Sequence, residues 1–343
     1  MTAQPALPPR VSVVMPVYNV AAYVGEAIAS VLAQTMGDFE LIVVDDGSTD
    51  DSPARIAAFA DPRIRLIRQA NAGLPAARNA GIHVARAPVI AFLDSDDRWL
   101  PEKLEQHLAH LAARPDVDVS YSASRFIDEA GRPLRIVQMP RLEQVGPAHI
   151  FCRNPVGNGS APVMRRSALD KVAHASLIAP RPAWFDERLL RSQDIEMWLR
   201  MALVGGSRFA GLGAILTEYR MREGGLSAQI APKYASWLQV AACLDAYAPA
   251  FRQRYFARAR AYQLRYLARR AVQLGDGRAA LRYAGASLAS SLAPLWQEPR
   301  RTLVTLAAAG AAFVLPRGAI VKLAGWLSGG ALVDAPAPAR SAA

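Results

Sequence analysis

Short apolar runs alternate with segments of helical spacing through the first third of the chain, and this alternation constrains the fold more than any other feature. The runs predicted as strands are 11–17, 39–44, 64–67 and 89–93. The segments predicted as helices between them are 20–34, 50–59 and 74–84. Alternation of this kind predicts an α/β fold, Rossmann-like, with a mostly parallel sheet and helices on both of its faces.

The remaining chain first continues this pattern and then becomes helical. Strands are predicted at 117–121 and 214–220, and helices at 187–203, 234–247, 251–274 and 278–292. Mixed signals between 122 and 181 are typical of strands and loops that complete a substrate pocket. We therefore predict a loose lead-in at 1–9, an α/β domain at 10–230, a helical appendage at 231–330 and a disordered tail at 331–343.

The positive charge of the chain is concentrated near its C-terminus. The formal net charge is +11, and residues 251–301 contain eleven arginines against Asp276 and Glu298. Such a cluster favours a polyanion, either a nucleic acid or an anionic membrane surface. Phe256, Leu264 and Leu267 recur among the arginines at helical spacing, which argues for an amphipathic surface and against a nucleic-acid reader. No nucleic-acid partner is therefore expected.

An uncharged apolar stretch at 302–315 follows this basic segment. It is shorter than the roughly 20 residues that a membrane-spanning helix needs. Arg300, Arg301, Arg317 and Lys322 flank it, as in a helix that lies in the plane of a membrane surface. An ordinary core helix that packs on the preceding helical hairpin is the alternative, and the sequence leaves both open.

Cysteine use and the N-terminus indicate a cytoplasmic protein. Cys152 and Cys243 are the only cysteines, so neither a disulfide framework nor a zinc site is expected. Residues 1–10 have no apolar run after a basic start, which argues against a secretory signal.

Acidic residues follow two of the predicted strands. Asp45 and Asp46 come after the second strand, and Asp94-Ser95-Asp96-Asp97 comes after the strand at 89–93. Ligands of open α/β sheets bind at the carboxyl ends of strands. Clustered carboxylates repel each other unless a cation lies between them. Mg²⁺ or Mn²⁺ takes oxygen ligands and commonly bridges to substrate phosphates. A solvated acidic turn that caps the next helix is the alternative for the second cluster taken alone.

The glycine-rich loops that cradle phosphates in many α/β proteins are absent from the sequence. An aromatic residue, Tyr18, instead ends the first strand and shares the predicted rim with both acidic clusters. This combination suits a nucleoside diphosphate, with a ring to stack the base, a carboxylate to accept from it and a cation for the phosphates.

Five stretches in order resemble glycosyltransferase family 2, the inverting enzymes with the type A nucleotide-sugar fold. They are Val-Ser-Val-Val-Met-Pro-Val-Tyr-Asn at 11–19, Val-Val-Asp-Asp-Gly-Ser-Thr-Asp at 43–50, Asn-Ala-Gly-Leu-Pro-Ala-Ala-Arg-Asn-Ala-Gly at 71–81, Phe-Leu-Asp-Ser-Asp-Asp at 92–97 and Gln-Asp-Ile-Glu-Met-Trp at 193–198. The resemblance covers about residues 10–225 and implies a nucleotide-sugar half at about 10–115 and an acceptor half at about 116–230.

The resemblance implies a role for each matching residue of the nucleotide-sugar half. Tyr18 stacks on uracil or another base beside the Pro16 backbone, and Asp46 hydrogen-bonds the base. Arg78 lies near the diphosphate or the base. The metal, Mg²⁺ or Mn²⁺, is held by Asp96 together with Asp94, which also reaches sugar or ribose hydroxyls. Asp97 is not assigned to the metal and is expected to be structural. From the residues alone, Asp46 also suits a plain turn, and Arg78 a solvated helix face.

In the acceptor half, Asp194 matches the family's general base, which takes the proton of the acceptor hydroxyl. A helix cap is the alternative reading of this aspartate, and both roles are compatible. Gln193 stands where many members have Glu, and Arg222 stands where many have a histidine near the metal. Arg222 cannot ligate a cation but can pair with phosphate, which leaves the strength of the metal requirement open. By position in the family, the loop at 154–160 is expected to form part of the acceptor wall; a plain glycine-rich loop is the alternative, and the residues alone favour it.

The implied activity is hexosyl transfer from a nucleotide sugar, UDP-linked by expectation, to an acceptor hydroxyl with inversion. A lipid-linked or polysaccharide acceptor of cell-envelope synthesis is expected, with the protein peripheral on the inner face of the cytoplasmic membrane. Two alternatives stay open at this point. One is a sugar-phosphate nucleotidyltransferase on the same fold, and the other is a nucleic-acid-binding protein that uses the basic helices.

Overall fold

The computed structural model describes residues 8–222 and 230–314. Its strands are β1 Val11–Val17, β2 Phe39–Asp45, β3 Ile64–Arg68, β4 Val89–Phe92, β5 Arg98–Trp99, β6 Val119–Ile127, β7 Pro133–Gln138, β8 Val163–Arg165, β9 His174–Ala175, β10 Pro182–Ala183 and β11 Phe209–Arg220. Its helices are α1 Val24–Leu32, α2 Ser52–Ala57, α3 Leu74–Val84, α4 Lys103–Ala113, α5 Pro147–Cys152, α6 Arg166–Asp170, α7 Gln193–Leu203, α8 Ile230–Tyr247, α9 Pro249–Gln273, α10 Gly277–Ser290, α11 Ala293–Gln297 and α12 Pro299–Val314.

A nine-stranded sheet runs in the order β3-β2-β1-β4-β8-β6-β11-β5, with β7 paired to β6. Four strand pairs are parallel: β1 with β2, β1 with β4, β2 with β3, and β6 with β11. Strand β8 is antiparallel to both of its neighbours and joins the two parallel halves. The predicted α/β class with a mostly parallel sheet is therefore confirmed.

The first strands form because both of their faces are covered. Every residue of β1 and β2 is buried, as the continuous apolar runs predict for parallel strands under two layers of helices. Helix α1 contributes Val24, Ile28 and Val31 to the core below the sheet. Because parallel neighbours end at the same edge, this core fixes where the residues after β1, β2 and β4 emerge.

Two compact units divide the chain, one from Met1 to Gln253 and the other from Arg254 to Ala343. The first contains the sheet. The described part of the second is helical and has its own core, in which small residues predominate: Ala268, Ala271, Val272, Ala280, Ala284, Ala309 and Ala312. The predicted boundary at residue 230 stays a prediction, and the predicted lead-in and tail fall mainly outside the described residues.

Several predicted elements differ from the observed ones. The predicted helix at 187–203 begins only at Gln193, because Asp186 binds the backbone and side chain of Arg188, and Ser192 has a left-handed φ of 57°. The stretch predicted at 302–315 lies within α12, apart from Leu315, which is outside the described residues. In the described ranges no helix is both long and apolar enough to cross a membrane.

Candidate active site

The carboxyl ends of β1, β2 and β4 bring the first predicted site residues to one edge of the sheet. Val17 of β1 pairs with Asp45 of β2, and Val14 pairs with Phe92 of β4. Neighbouring strands lie about 4.8 Å apart, so the residues that follow them share a rim. Pro16 is buried in β1, whereas the Tyr18 ring is 49% exposed and available to a flat ligand.

Asp46 is used inside the protein to hold the loop that precedes α3. Its Oδ1 accepts hydrogen bonds from Gln69 Nε2 at 2.7 Å and the Ala72 amide at 3.0 Å, and its Oδ2 accepts from the Gly73 amide at 2.8 Å. The turn needs a glycine at position 47, where φ is 77° and a Cβ would lie 2.8 Å from a backbone nitrogen of the same loop. Asp46 is therefore a turn residue here, and its contact with a base stays a prediction.

Asp97 is the structural member of the acidic turn after β4. It is 1% exposed, and it accepts hydrogen bonds from Ser160 Oγ at 2.6 Å and from the Arg220 amide at 2.9 Å. Burial raises the pKa of this carboxyl well above its usual value, and the carboxylates of Asp96 and Asp94 add to the rise. The side chain is out of reach of a ligand and fixes the turn from below.

Asp94 is paired with Arg78, which projects from α3. Arg78 Nη2 lies 2.5 Å from Asp94 Oδ1, and the arginine is only 2% exposed. A solvated helix face for Arg78 is thus wrong. The pair is packed against Gly159, where a Cβ would lie 2.4 Å from the guanidinium and 2.9 Å from the carboxylate. Only a residue without a side chain lets the loop at 154–160 approach this closely.

Asp96 is half-buried and is paired with Arg222. The Arg222 Nη1 atom lies 3.1 Å from Asp96 Oδ2, with 32% and 27% of the two side chains exposed. Burial and the nearby Asp94 carboxylate raise the pKa of Asp96, whereas Arg222 opposes that rise. The turn therefore holds two mutually repelling carboxylates, each opposed by one guanidinium.

These two carboxylates fit a divalent cation that arrives with a phosphate ligand. In residues 8–222 and 230–314 no group of three or more acidic, histidine or cysteine side chains is arranged as a metal site. Mg²⁺ commonly uses only one or two carboxylates and takes its other ligands from water and substrate phosphates. The repulsion by which Asp94 raises the pKa of Asp96 is the interaction that such a cation would relieve.

Asp194 lies in the first turn of α7, close to the Arg78–Asp94 pair. Burial raises its pKa, the Arg78 charge lowers it and the Asp94 charge raises it, so all three groups interact. Asn154 Nδ2 lies 3.3 Å from Asp194 Oδ2 and reaches it from the loop at 154–160. The alternative that Asp194 caps this helix is wrong, because Ser192 is the N-cap residue and Asp194 lies inside the first turn.

Two residues organise the turn in a way that the sequence did not predict. Ser160 Oγ accepts the Asp94 amide at 3.0 Å while it donates to Asp97. The Arg220 side chain is fully buried; its Nε donates to the Asp96 carbonyl at 2.7 Å and its Nη2 to Glu26 at 2.7 Å. Both are distant in sequence from the turn, so local patterns do not reveal them.

The structure thus brings Arg78, Asp94, Asp96, Asp194 and Arg222 to one site. These residues lie where open α/β sheets bind their ligands, at the carboxyl ends of the strands.

The model of the family "Glycosyl transferase family 2" matches residues 12–173. An uncharacterized glycosyltransferase of Methanocaldococcus jannaschii is 30% identical over 218 residues, which cover 62% of this chain and 71% of the relative. Another, of Nostoc sp., is 39% identical over 181 residues, covering 48% and 53%. The UDP-Glc:alpha-D-GlcNAc-diphosphoundecaprenol beta-1,3-glucosyltransferase WfgD of Escherichia coli is 29% identical over 224 residues, covering 63% and 79%. The chain belongs to glycosyltransferase family 2, although it spans only about half the length of the Nostoc relative.

Solved structures are similar to this chain in fold. Staphylococcus aureus TarS 1-349 in complex with UDP-GlcNAc has a TM-score of 0.56 at 18% identity, over 93% of this chain and 92% of TarS 1-349. The mannosyltransferase PcManGT from Pyrobaculum calidifontis, in complex with GDP-Man and Mn²⁺, has a TM-score of 0.56 at 20% identity, over 91% and 88%. The type A glycosyltransferase fold is therefore confirmed.

Proposed function

We propose that this protein transfers a hexosyl group from a nucleoside-diphosphate sugar to an acceptor hydroxyl, with inversion at the anomeric carbon. One observation carries the proposal: the carboxylates of Asp94 and Asp96, each opposed by an arginine, lie in one site with the carboxylate of Asp194, whose pKa is shifted by both Arg78 and Asp94. The acidic pair suits the cation of a diphosphate leaving group. The third carboxylate suits a base that deprotonates the acceptor hydroxyl, which is the nucleophile.

The donor is proposed to be UDP-linked. Tyr18 offers an exposed ring for the base beside the Pro16 backbone. Asp46 is only 2% exposed and retains about one acceptor site beyond the three hydrogen bonds that it accepts. The E. coli relative is named for a UDP-sugar donor, and the TarS structure contains UDP-GlcNAc. The Pyrobaculum enzyme contains GDP-Man, so guanosine donors belong in any test.

The diphosphate is proposed to bind with Mg²⁺ or Mn²⁺ beside the acidic turn. Asp96 would hold the cation together with Asp94, and the bound cation would supply Lewis-acid stabilisation of the departing diphosphate. PcManGT was solved with Mn²⁺, which supports a divalent metal in this class of fold. Arg222 is suited to pair with a phosphate oxygen once a cation has taken its place at Asp96.

Asp194 is proposed as the general base. Its carboxylate accepts the proton of the acceptor hydroxyl while that oxygen forms the new bond to the anomeric carbon. The bond from that carbon to the diphosphate oxygen breaks on the opposite face, so the configuration inverts. Burial raises the pKa of Asp194, which makes it a stronger base, while the Arg78 charge opposes the shift and helps to keep it ionised.

The acceptor is proposed to be lipid-linked or part of a growing polysaccharide, in cell-envelope or exopolysaccharide synthesis. The E. coli relative is named for an acceptor carried on diphosphoundecaprenol. A chain with eleven arginines between residues 251 and 301 is suited to a peripheral position on an anionic membrane surface. A cytoplasmic protein on the inner face of the cytoplasmic membrane fits both observations.

The test is nucleoside diphosphate release by purified protein. A panel of UDP- and GDP-sugars is incubated with Mg²⁺ or Mn²⁺ and a membrane-lipid extract, after a thermal-shift screen for donors that raise the melting temperature together with Mn²⁺. We expect release with one donor class and its loss in Asp194→Asn. No release from any donor would overturn the proposal. Pyrophosphate release from a sugar phosphate and a nucleoside triphosphate would instead identify a nucleotidyltransferase.

A further inference from the structure

We propose that the exposed face of α12, together with Trp296 and the arginines at its start, is a docking surface for an anionic lipid bilayer. The inference deepens the proposed function, in which the acceptor is carried at a membrane. It assigns the membrane contact to a particular helix face.

Within the described residues, helix α12 has one face that packs and an opposite face that is exposed. Successive residues of a helix are turned by about 100°, so residues 302, 305, 309 and 312 share a side. These four are buried: Thr302, Thr305, Ala309 and Ala312. The sequence left open a helix in the plane of a membrane and a helix packed on the core. A helix that packs along one side and is exposed along the other fits both.

The opposite face of α12 is apolar and solvent-exposed. Leu303 is 56% exposed, Val304 58% and Val314 78%, and the small side chain of Ala307 lies between them on the same side. Soluble surfaces normally place charged or polar residues opposite the packed stripe of a helix. From 302 to 314 this helix contains no charged residue.

Positive charge is gathered at the N-terminal end of this face. Arg300 and Arg301 are both exposed, and residues 299–314 contain no acidic residue. Residues 254–314 as a whole contain ten arginines against Asp276 and Glu298, a difference of +8. Even Glu298 is neutralised, since Arg265 Nη2 lies 2.5 Å from its carboxylate.

Trp296 adds an interfacial aromatic ring next to this helix. It lies in α11 and is 77% exposed, whereas Trp99, Trp184, Trp198 and Trp237 are at most 3% exposed. Tryptophan has an apolar body and one polar N–H, and it is favoured where a surface meets lipid headgroups.

The pattern favours a lipid surface over a nucleic acid or a second protein. A nucleic acid needs cations along the contact face, and here the centre of the face is uncharged. A helix of 16 residues is about 24 Å long, too short to span a bilayer but sufficient to lie in its headgroup layer. The strong excess of arginine complements anionic lipids, whose surface attracts basic residues near it.

The test measures vesicle binding by the full-length protein, without donor or acceptor, so that it does not depend on the transferase activity. Sedimentation is compared for vesicles of phosphatidylcholine alone and with about a third of phosphatidylglycerol. We expect binding only to the anionic vesicles. Leu303→Glu with Val304→Glu should weaken it at least tenfold, and Arg300→Ala with Arg301→Ala by about fivefold for each arginine removed, with a smaller salt dependence.

Two controls separate docking from misfolding and from general stickiness. Val204→Glu places one glutamate on a valine of the first compact unit that is 53% exposed, and it should leave vesicle binding unchanged. Trp296→Phe should retain most binding but lose the blue shift of tryptophan fluorescence that anionic vesicles induce. Unaltered circular dichroism and melting temperature exclude unfolding of the α12 variants.

Three results would overturn the proposal. The first is no binding to anionic vesicles, and the second is equal binding by the Leu303→Glu, Val304→Glu variant. The third is a wild-type dimer in solution that this variant converts to a monomer without any change in vesicle binding, which would assign the face to a second copy of the chain. If vesicles bind as expected but no diphosphate is released from any donor, the docking surface stands and the proposed function fails.

Discussion

The two acidic turns at the carboxyl edge of the sheet look alike in sequence but are held in opposite ways. In the turn after β2, the Asp46 carboxylate accepts two backbone amides and one side-chain amide from a single loop. In the turn after β4, Asp94 and Asp96 are opposed by the guanidinium groups of Arg78 and Arg222.

The difference separates carboxylates that build the fold from carboxylates that are available to a ligand. Backbone amides cannot leave without breaking the loop, so the Asp46 hydrogen bonds are part of the structure. The Arg222 side chain, which is 32% exposed, can rotate away from Asp96, and a divalent cation can replace its positive charge at the carboxylate. The acidic turn after β4 also contains its own structural member, because the buried Asp97 performs there the role that Asp46 performs in the other turn.

Asp96→Asn should have the largest effect, on activity. The change removes the charge proposed to hold the cation, so kcat/KM should fall about 100-fold or more, the loss of several kcal/mol of transition-state stabilisation. The melting temperature should stay the same or rise slightly, because the repulsion with Asp94 is relieved. Diphosphate release and a thermal melt of the same preparation measure both.

An Asp96→Asn enzyme with wild-type turnover would place the diphosphate elsewhere. A strongly lowered melting temperature would instead mean that Asp96, like Asp46, belongs to the fold.

Asp46→Asn is the matched change in the other turn and should act mainly on stability. An amide nitrogen cannot accept a hydrogen bond, so at least one N–H donor from the loop at 69–73 loses its partner. The free energy of unfolding should fall by about 1–3 kcal/mol, as measured by urea denaturation. If stability is unchanged and only the KM of the donor rises, the base-binding role predicted from the sequence outweighs the turn role.

The sequence was sufficient for the parallel half of the fold, because its signals are local. The predicted strand at 11–17 and helix at 74–84 match β1 and α3 residue for residue. The antiparallel β8, by contrast, has only three residues, Val163–Arg165, and joins β4 to β6 through pairings across long stretches of chain. Local periodicity contains no information about such pairings.

The same limit applies to the site. Asp94, Asp96 and Asp194 are recognisable because each lies in a stretch that resembles the family. Ser160 and Arg220, which hold the acidic turn, make contacts 63 to 124 residues away in sequence. Their roles appear only when the loop at 154–160 and the end of β11 meet the turn in space.

Arg78→Met should shift the pH dependence of the reaction. The Arg78 charge lowers the pKa of Asp194, so its removal raises that pKa, and a larger fraction of the base is protonated at a given acidic pH. Activity is lost as pH falls through this pKa, so the acid limb of the kcat/KM profile should move to higher pH.

Arg78→Lys is the control for this shift, because it retains the charge and should leave the acid limb near its wild-type position. An acid limb that does not move in Arg78→Met would mean that Asp194 is not the titrating base.

Arg222→Met should have the smallest effect, on metal affinity. In the wild type a cation must displace Arg222 from Asp96, and a partly exposed ion pair of this kind is worth about 0.2–1 kcal/mol. Removing the arginine should therefore tighten Mn²⁺ binding by about 1.4- to fivefold, measured without nucleotide by electron paramagnetic resonance. Arg222→Lys, which keeps a positive charge, should stay close to wild type. Unchanged or weaker Mn²⁺ binding in Arg222→Met would show that the acidic turn after β4 does not exchange its arginine for a cation. Its Asp96 would then be held in the fold, as Asp46 is in the turn after β2.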